Sequence, residues 1–125
     1  MKIAVTNNPM VHSKVPGAGQ NLIDFHDTDY LGVLKIVRDR VHLGHKLLTH
    51  PLSGSIKPGE TPYKTVVISA EKGEMDEAGL SIIESSIQTC LKFMANGCNF
   101  KKNWSEGVLL DFQLIDYSLI FSEGF

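Results

Sequence analysis

Apolar residues recur along this chain in two rhythms, and the changes between them divide it into elements. Lys2 to Thr6 carries Ile3, Ala4 and Val5 in a short run that ends at Asn7-Asn8-Pro9. Those residues turn the chain or stop a ladder, so the run predicts a core strand with a sharp exit. Asn21 to Phe25 predicts a second short strand. The intervening Met10 to Gln20, with Pro16, Gly17, Gly19 and little periodicity, predicts a loop. From Tyr30 the spacing changes: Tyr30, Leu34, Val37 and Val41 follow the 4-3-4 rhythm of one helix face, with Asp27 or Thr28 as N-cap and Gly44 at the C′ position.

Lys46 to Thr49 reads as a brief strand, after which three prolines and two glycines between His50 and Pro62 break regular structure and predict a long loop. Lys64 to Ser69 contains Val66-Val67-Ile68. Such continuous apolar character predicts a central strand covered on both faces, in a parallel or mixed sheet between helix layers. Asp76 caps a long second helix ending at Asn96-Gly97, with Leu80, Ile83, Ile87, Cys90 or Leu91, and Met94 on its apolar face; Leu80, Ile83, Ile87 and Leu91 are the expected core contacts. Beyond Ser105-Glu106, the spacing of Leu109, Phe112, Ile115 and Leu119 predicts a third helix, with a strand as the alternative because Val108, Leu110, Phe112 and Leu114 alternate. The order β, β, α, (β), β, α, α, without repeat or linker, predicts one α/β domain over residues 1–125. Its expected form is a sandwich with a three- to four-stranded, mainly parallel sheet flanked by about three helices.

Composition narrows the class. With 42% hydrophobic and 21% charged residues in 125, the chain has the make-up of a soluble globular domain. Twelve Lys and Arg against fourteen Asp and Glu leave a net charge of -2, which gives no basic excess for a nucleic-acid partner. No apolar run approaches the roughly 18 residues of a spanning helix, so no membrane partner is expected. Met1-Lys2 leads into a strand and not a signal peptide, and Cys90 and Cys98 form neither a disulfide framework nor a CxxC pair; both features point to the cytoplasm. No cofactor is expected: Pro16-Gly17-Ala18-Gly19 has Leu22 where a dinucleotide fingerprint needs its third glycine, and no Walker spacing occurs.

The densest chemistry lies between Arg38 and Lys64, which holds three of the five histidines. His42, His45 and His50 have the spacing H-x2-H-x4-H, but Gly44 should end the helix between the first two, and no cysteine or carboxylate completes a ligand set, so no metal is assigned. Ser53-Gly54-Ser55 followed by Lys57 can turn backbone N–H groups toward an anion, with Arg38 or Arg40 adding charge; the bland alternative is a tight turn with satisfied hydroxyls. Thr6-Asn7 stands at the C-terminal end of the first strand, the edge where open α/β sheets place ligands. The expected anion pocket therefore comprises Thr6, Asn7, Arg38, His42, His45, His50, Ser53, Ser55 and Lys57. Cys90 reads as core and Cys98 as exposed, with nothing nearby to lower its pKa, and no GxSxG elbow is present. No catalytic residue is assigned.

Arg38-Asp39, His42, Gly44-His45, Leu47 to Ser55, Lys57-Pro58 and Glu60 to Tyr63 form a block of specific residues within Ile36 to Ser69. This block resembles the signature of the GrdX family, small proteins encoded with the glycine, sarcosine and betaine reductase systems of amino-acid-fermenting anaerobes. Thr6-Asn7-Asn8-Pro9 and Asp116-Tyr117-Ser118-Leu119 are similar in character to the family's opening and close. The resemblance implies a setting of reductive amino-acid fermentation with selenoprotein partners, and brings no catalytic residues. Two functions follow as expectations. One is a non-catalytic accessory protein of glycine reductase, acting on its components by assembly, regulation or small-anion sensing. The other is a small enzyme for a phosphorylated or carboxylated metabolite. Self-association stays open, as do the roles of residues 10–20 and the C-terminal tail.

Overall fold

The β-branched opening run is the middle of the sheet. In the computed structural model, which describes residues 2–14, 22–52, 61–95 and 104–122, the elements are β1 (Lys2–Thr6), α1 (Pro9–Lys14), β2 (Leu22–Phe25), α2 (Tyr30–His42), β3 (Thr65–Ser69), α3 (Glu77–Ala95) and α4 (Glu106–Ser122). The strand order is β2-β1-β3. β1 runs parallel to β2, with Val5 opposite Asp24, and antiparallel to β3, with Val5 opposite Val66 and Thr6 opposite Thr65.

The expectation of a mainly parallel sandwich is thereby corrected to a mixed sheet, with three strands and four helices among the described residues. A continuous apolar run reports that both faces of a strand are covered and carries no information about its direction. Val66, Val67 and Ile68 are all buried, as expected, but β1 and not β3 is central. The outer edge of β3 is instead occupied by Lys46 to Thr49. Leu47 forms a lone antiparallel bridge to Ile68, Ser69 N–H donates to Lys46 O (2.8 Å), and Val67 N–H donates to Thr49 Oγ1 (3.0 Å).

Side-chain alternation sorts the two faces. Ile3 and Val5, with Val66 and Ile68 beside them, join Leu31, Leu34, Val37 and Val41 of α2 and Ile83, Ile87 and Cys90 of α3 in one apolar core. On the expected face of α3, Ile83, Ile87 and Cys90 are buried and Leu80 packs half-buried against the core, whereas Leu91 is 39% exposed; the Met94 side chain lies outside the described residues. Leu91 lies one position, about 100° of helix rotation, past Cys90, and that turn carries it off the α2 side.

The helix ends are built as capping chemistry dictates. Asp29, not Asp27 or Thr28, caps α2: its backbone is extended and Oδ1 accepts the Gly32 N–H at 2.7 Å. At the other end Gly44 N–H donates to Val41 O and His45 N–H to Arg40 O, the paired bonds of a Schellman close. Gly44 has φ +107°, and a Cβ there would lie 2.6 Å from Gly73 O, so both conformation and space demand glycine. Asp76 caps α3 through Gly79 N–H (3.0 Å) and also accepts Leu47 N–H (3.2 Å), tying the β3-edge segment to the helix. Helix α1 replaces part of the expected loop. Pro9 is its first residue and Asn8 its cap, with Asn8 Oδ1 accepting Met10 N–H at 2.9 Å; a proline that stops a strand is equally tolerated at a helix start. No described helix is long and apolar enough to cross a membrane.

Because Ile87 is 3% exposed and Leu91 39%, Ile87→Ala should lower unfolding free energy by about 2–5 kcal/mol and Leu91→Ala by less than about 1. Urea denaturation of the two variants checks this.

Candidate functional site

The sheet's two threonines start a buried polar cluster. Thr6 and Thr65 share a register position and point away from the α2 face, their hydroxyls 2.7 Å apart. Thr65 Oγ1 donates to Asp116 Oδ2 at 2.6 Å. A hydroxyl has one proton, so Thr6 Oγ1 is the donor in the threonine pair, and it accepts Asn8 N–H at 2.9 Å. Asp116, from α4, also takes Thr65 N–H on Oδ1 (3.1 Å) and an Asn8 Nδ2 proton on Oδ2 (3.0 Å). Asn8 Nδ2 further donates to Gln113 O at 2.9 Å. All four residues are buried, and the carboxylate that closes the cluster fills the free edge of β3 at Thr65.

Asn7 works on the loops. Its amide nitrogen donates to Thr28 O and to Pro62 O, each at 2.8 Å, and its Oδ1 accepts Lys64 N–H at 2.9 Å. The side chain thus holds the approach to α2 against the approach to β3, with both amide protons and the carbonyl oxygen engaged inside the fold.

The candidate residues of the central block take separate positions. Arg38 faces α3, where its Nε lies 3.9 Å from Glu84 Oε1, and it also contacts Asp39. Arg40 pairs with Asp24 Oδ2 at 3.0 Å, and His26 Nε2 approaches Asp24 Oδ1 at 2.9 Å. His42 is exposed in the last turn of α2. His45 is buried beyond the helix, and its Nδ1 donates to Ser69 O at 2.7 Å, which places a proton on that nitrogen. His50 is exposed and its Nδ1 accepts Leu52 N–H at 3.0 Å. Ser53, Ser55 and Lys57 lie outside the described residues, as does Cys98. Thr6 meets β3 at Thr65 and His45 meets it at Ser69, so the two stand about 13 Å apart along the strand. The described candidates are therefore not gathered round one point. Among the described residues, no three His, Cys, Asp or Glu side chains are placed to hold a metal ion.

Beside Ser69 there is a concavity of about 200 Å³ lined by Lys46, Ser69, Glu71, Lys72 and Gly73. Residue spacing gave no sign of it, because the bridge at Leu47 is what brings Lys46 next to Ser69. Asp116 was also missed as a site residue. The available signal was its position on the inner stripe of α4, between Phe112 and Ile120 at helical spacing.

Two buried acids are held protonated. Burial, followed by the charge of Asp29, pushes the Cys90 thiol up to about 11. Burial, then Cys90 and Asp116, raises the Tyr30 phenol above its ordinary value. Cys90 at neutral pH is a packed thiol with little nucleophilic character.

The family model described as GrdX-like protein matches residues 3–123, nearly the whole chain. No curated protein and no solved structure matches. The chain belongs to the GrdX-like family.

Asp116→Ala strands Thr65 N–H and the Asn8 amide in a buried setting, and should cost about 3 kcal/mol in urea denaturation. The Cys90 shift sets a pH dependence. The thiol ionises more easily unfolded, so its contribution is complete below pH 9 and is lost as pH rises through about 11. Thermal melts should fall across that window, by a slope that Cys90→Ala reduces by about 1 kcal/mol per pH unit.

Proposed function

We propose that this chain is a non-catalytic accessory protein of a glycine, sarcosine or betaine reductase system, which acts on the reductase components by assembly or regulation. The observation that carries the reading is the match of the GrdX-like family model across residues 3–123. The disposition of the side chains supports it. Thr6 and Asn7, at the strand end where an open sheet would present ligand-binding groups, have their hydrogen bonds within the fold. The buried Cys90 thiol is held protonated.

Small-anion sensing by the same protein is a second reading, favoured by the Lys46–Ser69–Lys72 concavity. Two lysines lining one concavity suit phosphate or a small carboxylate, although Glu71 opposes them and the Ser69 hydroxyl is engaged within the fold, donating to Glu71 O and accepting Lys46 N–H. A small enzyme acting on such an anion would use the same pocket, with His45 one residue from Lys46 as its nearest imidazole.

The test is reconstitution with purified reductase components. The accessory reading predicts that the chain binds one component in sedimentation velocity and changes the rate or yield of active reductase, while turning over no substrate itself. No binding and no effect on the reductase would contradict it. Inorganic phosphate and acetate test the anion reading. If it holds, they raise the melting temperature of the wild type and not of Lys46→Ala, since a ligand specific for the native state stabilises it by mass action.

A further inference from the structure

We propose that the concavity beside Ser69 is a binding site for an acidic amino acid, a ligand that carries two carboxylates and one ammonium group. The proposal rests on the anion reading of the same concavity and names the ligand class that its charges select. Lys46, Glu71 and Lys72 line it, and all three are exposed. Among the described residues none of the three takes part in an ion pair. Two cations and an anion thus line one small space without neutralising one another, and a molecule that carries both signs can join them.

The backbone that carries these charges is tied down on both sides. Lys46 and Ser69 stand opposite each other beside the bridge of Leu47 to Ile68. Ser69 N–H donates to Lys46 O at 2.8 Å, and Lys46 N–H donates to Ser69 Oγ at 2.8 Å. Ser69 Oγ then donates to Glu71 O at 2.9 Å, which folds the chain back after β3. Gly73 N–H donates to Gly44 O at 3.0 Å and fastens the far end of the turn to the close of α2. The backbone positions of Lys46, Glu71 and Lys72 are therefore set before a ligand arrives, which lowers the ordering cost of binding.

Size and charge select the ligand together. A volume of about 200 Å³ lies below the roughly 300–1,000 Å³ of sites for drug-sized molecules, so a small metabolite fits and a nucleotide does not. A plain dicarboxylate satisfies the lysines and is repelled by Glu71. An amino acid with one carboxylate satisfies Glu71 and leaves one lysine without a partner. An amino dicarboxylate gives each lysine a carboxylate and Glu71 the ammonium group. Because the Ser69 hydroxyl and the Gly73 N–H are used within the fold, recognition falls on the three charged side chains. Exposed ion pairs are weak and screened by salt, so a dissociation constant of about 1 mM at low ionic strength is expected. Glu71 is then the specificity determinant: it repels an anion without an amine and holds one that has it.

Amide chemical-shift titration of the full chain in low salt tests this with L-aspartate, with succinate, which is aspartate without its amine, and with β-alanine, which is aspartate without one carboxylate. Aspartate should move the amides from Ser69 to Gly73 and bind about threefold tighter than either relative. Glu71→Gln should weaken aspartate by about threefold and tighten succinate, while Lys72→Gln weakens both. These side chains are exposed, so the substitutions leave the fold intact. If Glu71→Gln tightens both ligands, or if the wild type binds succinate as well as aspartate, the amino-acid proposal is overturned and the anion reading stands. If aspartate, succinate and inorganic phosphate all leave the amides from Ser69 to Gly73 unmoved, both are overturned.

Discussion

One carboxylate joins the parts of this fold that apolar packing leaves separate. The core on the α2 side assembles from side chains that interlock without help from charge. On the other side the sheet offers Thr6 and Thr65, and the outer N–H of Thr65 has no strand beside it. Asp116 answers both by accepting from the Thr65 backbone and hydroxyl and from Asn8. A buried carboxylate is tolerable only when its lone pairs are occupied, and here three donors occupy them. α4 is thereby fixed to the sheet at its Asp116 turn, and the cap of α1 is drawn into the same cluster through Asn8. The rest of α4 follows from that anchor, including the apolar face it turns outward.

The same interaction bears on function. Open α/β sheets commonly present polar groups at strand C-termini to ligands, and Thr6-Asn7-Asn8 stands at such an end. In this protein those groups are spent on one another, on Asp116 and on the loop carbonyls of Thr28 and Pro62. The opposite end of β3 carries the concavity lined by Lys46, Ser69, Glu71, Lys72 and Gly73. Membership in the GrdX-like family and this inward use of polar groups are the two observations on which the proposed accessory role rests.

Much of the architecture was legible in the sequence, and the misses have definite causes. Local spacing identified β1, β2, β3, α2, α3 and α4, and found the Gly44 stop and the Asp76 cap, because periodicity and capping are properties of neighbouring residues. α1 was hidden by Pro9, which is compatible with a strand exit and with a helix start alike. The antiparallel direction of β3 was hidden because burial on both faces looks the same in either orientation. The candidate site was legible only as a crowding of donors between Arg38 and Lys57. Which donors meet depends on pairings between distant residues: Arg40 with Asp24, His45 with Ser69, Asp116 with Thr65. No local pattern encodes those pairs, although an acidic residue on the inner stripe of α4 was visible as a local contradiction.

The claim that Asp116 secures the free edge of β3 is tested most directly by amide hydrogen exchange at Thr65. In the wild type the Thr65 N–H should be protected to nearly the same degree as Val67 and Ser69, whose N–H groups bond to Thr49 and Lys46. In Asp116→Ala, which removes the acceptor, and with the other two as internal references, Thr65 alone should lose protection by at least tenfold. A wild-type Thr65 amide that exchanges as fast as an unstructured one, or protection unchanged by the substitution, would contradict the account.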